Sequence, residues 1–109
     1  MSIGWPLACA LTLGVEVPLA VLLAPAGRRG RIAGDAALLN LFTHPLAWLA
    51  VHGQGAPLLL VELAVTLVEG LGYWRVTRLA ARRAALIAIV CNATTTAIGI
   101  AIGWAARRQ

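Results

Sequence analysis

The chain has 109 residues, 61% hydrophobic and 12% charged, with a net charge of +5 and a mean hydropathy of +0.85. This composition excludes an ordinary soluble globular domain and points to a single membrane domain. All nine basic residues are arginine. In a soluble chain such a surplus would suggest nucleic acid; here it lies between apolar segments, where it fixes topology, so no nucleic-acid partner is expected.

A spanning helix needs about 20 mainly apolar residues. The first segment, 3–24, meets that length. It ends "LLAPAG", which looks like a cleavage site after Ala26, but it lacks a positive n-region and carries Glu16 where a signal sequence is apolar, so a retained helix is expected. Arg28, Arg29 and Arg31 follow. The second helix is expected over 36–52; its apolar run is short, leaving a re-entrant segment as the alternative. The loop "HGQGAP" carries no arginine and leads into a third helix over 57–76. Arg75, Arg78, Arg82 and Arg83 separate it from a fourth over 84–106, before Arg107 and Arg108. The expected fold class is all-α: a polytopic membrane protein with four transmembrane helices in one small bundle. Arginine-rich loops belong in the cytoplasm, which places the chain in a bacterial-type inner membrane with both termini outside the cytoplasm.

Ionisable residues inside a bilayer are costly and usually face other helices or a water-filled cavity. This chain carries Glu16, His44, Glu62 and Glu69 within its spans, with Thr12, Asn40, Thr43, Asn92 and Thr94 to Thr96. Thr12 and Glu16, Asn40 and His44, and Asn92 and Thr96 are four residues apart, while Glu62 and Glu69 are seven apart, so each pair shares a helix face. At about 1.5 Å per residue from the arginine-flanked ends, His44 and Glu69 come out about 10 Å deep, Glu16 and Asn92 about 12 Å, and Glu62 about 21 Å. The expected cluster is therefore Glu16, His44, Glu69 and Asn92 in one layer, flanked by Asn40 and Thr43, with Glu62 beyond it. Pro45 frees the carbonyl of Leu41 as a further acceptor.

The leading expectation is that this cluster binds or passes protons or a small cation. Glu16, His44 and Glu69 could alternatively hold a divalent metal, although no metal-binding motif enforces it. Hydrolysis, with a Glu as base and His44 as its partner, lacks an identifiable nucleophile. The competing class is an accessory subunit of a larger membrane complex, with the cluster serving helix packing and a haem or pigment on His44 or His52 as a lesser option. Gly99 and Gly103 form a small-xxx-small face on the fourth helix, suited to close approach by another helix or a second copy. The lipid bilayer and a homo-oligomer or larger complex are the expected partners. Cys9 and Cys91 read as small core residues. Trp5, Trp74 and Trp104 lie where interfacial anchors belong, and Trp48 is expected to pack.

Length, four spans and Glu16 resemble the small multidrug resistance exporters, antiparallel dimers that couple export to protons through a first-helix carboxylate. The resemblance covers architecture and Glu16 alone. His44, Glu62 and Glu69 are foreign to that pattern, and the arginine bias opposes dual topology.

Overall fold

A computed structural model describes residues 4–108 as an all-α four-helix bundle. Helix α1 spans Trp5–Leu23, α2 Arg29–Trp48, α3 Leu58–Arg75 and α4 Ala81–Arg107. A short 3-10 turn precedes α2, and a π-helical turn, Leu49–Gly53, extends it. Each helix packs against two neighbours in the cycle α1, α2, α3, α4, while diagonal pairs stay apart. The long axis is 45 Å.

The expected start of the first helix at Ile3 lies outside the described residues. The second helix begins at Arg29, well ahead of the expected residue 36, and the fourth at Ala81 rather than 84. Both extensions take arginines into a first turn, where the helix dipole disfavours positive charge. Neighbouring helix ends offset this. Arg28 and Arg31 donate to the carbonyls of Thr77 and Val76 at 3.1 and 2.9 Å, at the end of α3. Arg83 donates to Leu23 O at 2.8 Å, at the end of α1. Carbonyls left over by one helix are thus capped from the start of a neighbouring, antiparallel one.

Buried apolar residues gather at this arginine-rich end: Ala20, Ala24, Ile32, Ala36, Tyr73, Leu79, Ala84, Ile87, Ala88 and Cys91. Gly72 brings α2 and α3 close together, since a Cβ there would sit 2.6 Å from Leu39 Cδ2. Arg78 turns the chain towards α4 with a left-handed φ of 61°, while Leu79 N–H reaches back to Tyr73 O.

The other end is looser. Beyond Asn92, α4 has no buried residue among those described. Among the described residues, Gly99 has nothing within 4 Å of the place a Cβ would take and Gly103 meets only the Arg107 side chain, so no described helix packs on the small-xxx-small face. Large apolar side chains point outward along the bundle, among them Leu22, Leu38, Phe42, Leu59 and Leu67. Helices α1 and α4 are long and apolar enough to cross a membrane. In α2 and α3 charge interrupts the apolar run, at Arg29, Arg31 and Asp35 and at Glu62, Glu69 and Arg75.

Candidate functional site

Five of the expected residues come together in the bundle interior. Glu16, Asn40, Thr43, Glu69 and Asn92 are all buried, Glu69 with no exposed surface and Glu16 at 1%. Each helix contributes at least one. Pro18, one turn beyond Gly14, leaves the Gly14 carbonyl without its helical partner close to Glu16, as Pro45 does for Leu41 close to Thr43.

Glu69 is the best-held group. Its Oε1 accepts from Asn92 Nδ2 at 2.7 Å and its Oε2 lies 2.8 Å from Thr43 Oγ1, so one carboxyl ties α3 to α4 and α2. Asn92 Nδ2 also donates to Ala88 O at 2.9 Å, and Asn40 Nδ2 donates to Ala36 O at 2.8 Å. Glu16 lies beside Glu69, its Oε2 3.0 Å from Thr95 Oγ1, while its Oε1 is buried without a protein partner. Among the described residues the only ion pair is Arg31 with Asp35, at the arginine end. The two central carboxyls therefore have no counter-charge, and a proton on the pair removes the cost of burying a second charge.

Counting protons shows what the arrangement can do. Thr43 Oγ1 is also 2.9 Å from Leu39 O, and Thr95 Oγ1 is 3.1 Å from Cys91 O. A hydroxyl has one proton to donate. When a threonine donates to its helix carbonyl, the carboxyl can be protonated and donate to the threonine oxygen. When the carboxyl is ionised, the threonine proton turns to it. Both charge states are served by rotating a hydroxyl, without moving a helix.

His44 stands apart from this network. Its ring is 6.3 Å from those of Trp5 and Trp48, and its Nδ1 is buried without a protein partner. Trp48 and His52 are 4.0 Å apart, so His44, Trp48 and His52 form an aromatic column at four-residue spacing. Trp48, expected only to pack, is its central member. The metal set of Glu16, His44 and Glu69 is not assembled: among the described residues no three His, Cys, Asp or Glu side chains are placed to share an ion. Residue 44 follows Thr43 by one position, which turns it away from the face that meets Glu69.

Glu62 and His52 lie further along, lining a half-open cavity of about 580 Å³ between α1, α3 and the loose half of α4. Thr12, Trp48, Thr95, Thr96, Gly99 and Arg107 also border it. Thr95 therefore has one side on the cavity and the other on Glu16. In the sequence Thr95 is one member of the polar run Thr94 to Thr96, with nothing local that marks a role for it. Its spacing of four from Cys91 and three from Asn92 was the available signal. No protein family, curated protein or solved structure matches the chain.

Proposed function

We propose that this chain is a small four-span protein of a bacterial-type inner membrane whose buried carboxyl layer binds protons, or a small cation, and passes them across the bilayer. The bundle turns large apolar side chains outward and buries its carboxyls and their amide and hydroxyl partners among the helices, an arrangement that hydrocarbon favours. Its 45 Å length matches the roughly 40–45 Å of a bilayer with its headgroups. Gathering seven of the nine arginines at one end fits that end to the cytoplasm, with both termini outside.

The observation that carries the functional reading is the cavity, which leads from the arginine-poor end to Thr95 and so to Glu16. A group that only pairs helices needs no such approach. Glu62 and His52 lie along it, and the tight core closes the far side. The full pairing of Glu69 supports a second reading, an accessory subunit in which the network specifies helix partners. A second copy or larger complex would then cover the open half of α4.

Reconstitution decides between them. Purified protein in liposomes loaded with a pH-sensitive dye is expected to carry proton current under an imposed potential, and Glu16→Gln or Glu69→Gln to bring it to the empty-liposome level. A current that appears only with sodium or potassium would identify the cation instead. Wild-type liposomes as tight as empty ones to all three would favour the accessory subunit.

A further inference from the structure

The cavity stops at Thr95, the contact of Glu16, and the apolar core lies at the opposite end of the bundle. Within that core stands a polar group that packing does not account for. Tyr73 has no exposed surface, it belongs to the same buried cluster as Ile32 and Ile87, and its hydroxyl meets no partner among the described residues. A phenylalanine would fill the same space without a polar atom to satisfy.

Its place along α3 supplies a reason. Glu69 and Tyr73, four residues apart, share one face of α3, Thr77 follows in the turn beyond the end of that helix, and all three are fully buried. Thr77 Oγ1 donates to Asp35 Oδ2 at 2.8 Å, and Asp35 also accepts from Arg31 Nε at 3.2 Å. Asp35 is partly exposed, so the polar groups that begin at Glu69 meet the surface there. The ionisable groups within electrostatic range of Tyr73 are Glu69 on its own helix, Glu16 on α1, Cys91 on α4 and Asp35 on α2.

We propose that the Tyr73 hydroxyl is the relay through which protons pass between Glu69 and Asp35, completing the path to the arginine end. The proposal rests on the proton reading above. A phenol both accepts and donates. The Glu69 carboxyl O–H bond breaks as its proton goes to the Tyr73 oxygen, while the original phenolic proton leaves for the Asp35 carboxylate. Glu69 ends ionised, Asp35 protonated and Tyr73 unchanged, with water bridging wherever two of the groups do not touch. Asp35 then releases the proton to solvent.

The test uses the full chain in dye-loaded liposomes, comparing Tyr73→Phe, Asp35→Asn and the double variant, with Glu16→Gln as the blocked control. Each single change is expected to slow proton flux on the order of 100-fold, the scale of losing a positioned proton-transfer group. The double variant is expected to be no slower than the slower single, because both act on one path. Tyr73→Phe is also expected to keep or raise the melting temperature. Wild-type flux in Tyr73→Phe, with Glu16→Gln blocked, would overturn the relay and leave the proton reading standing. Multiplying effects in the double variant, or a lowered melting temperature in Tyr73→Phe, would also overturn it by showing a structural role. No flux in the wild-type protein would overturn both.

Discussion

Asn92 shows how closely the interior is matched at the level of single atoms. Both of its amide protons are used, one on Ala88 O and one on Glu69 Oε1. Asn92→Leu keeps the volume and removes the donor, leaving a buried carboxyl oxygen unpaired. We expect a loss of about 1–3 kcal/mol, the cost of an unsatisfied buried polar group, measured by denaturation in detergent. Adding Glu69→Leu should recover most of it, because removing both partners is nearly neutral. An unchanged stability in Asn92→Leu would mean that Glu69 finds its partner elsewhere. At this scale the sequence was informative about Glu16, Asn40, Thr43, Glu69 and Asn92, since polar atoms inside an apolar run must turn inward. It misled about His44, because a residue one position from Thr43 points about 100° away around the helix. Tyr73 escaped notice for a different reason. An aromatic near a helix end reads as an anchor until its place between Glu69 and the buried Thr77 is seen.

Among the elements, the close approach of α2 to α3 passes through a single small residue, Gly72. With Leu39 Cδ2 at 2.6 Å and Cδ1 at 2.9 Å from the place of a Cβ, Gly72→Ala has to push either the leucine or the helix aside. Overpacking of this kind costs typically 1–3 kcal/mol. We expect a lower melting temperature for Gly72→Ala, partly restored by Leu39→Ala, which vacates the contested space. Equal melting temperatures for Gly72→Ala and wild type would show that Leu39 yields freely. Hydropathy located all four helices, but their starts were misplaced wherever arginine stood in the first turn. Charge reads as loop in a single sequence. Only the carbonyls at the ends of α3 and α1, distant in the chain, show why Arg31 and Arg83 can be helical.

For the whole molecule, the contrast between a packed end and an open one is the main result, and composition could not reveal it. Which half of a helix is covered depends on its neighbours, and Gly99 and Gly103 gave only a capacity for close approach. If the proposed orientation holds, Gly99→Cys should react with a membrane-impermeant maleimide on intact cells, whereas Arg29→Cys should react only after the membrane is opened. The native Cys9 and Cys91 are both buried and free, so they contribute little background. The opposite labelling pattern would invert the orientation.

The arginine caps also bear on how the chain is made. Leu23 O waits for Arg83, 60 residues later, and Asp35 waits for Thr77, 42 residues later. During synthesis the first helical hairpin is complete before any of these partners exists. Its end carbonyls and its Asp35 remain without them until the second hairpin arrives. The second half of the chain thus closes the first, and a nascent chain stopped after α2 would lack the fastenings that distinguish a finished bundle from a half-built one.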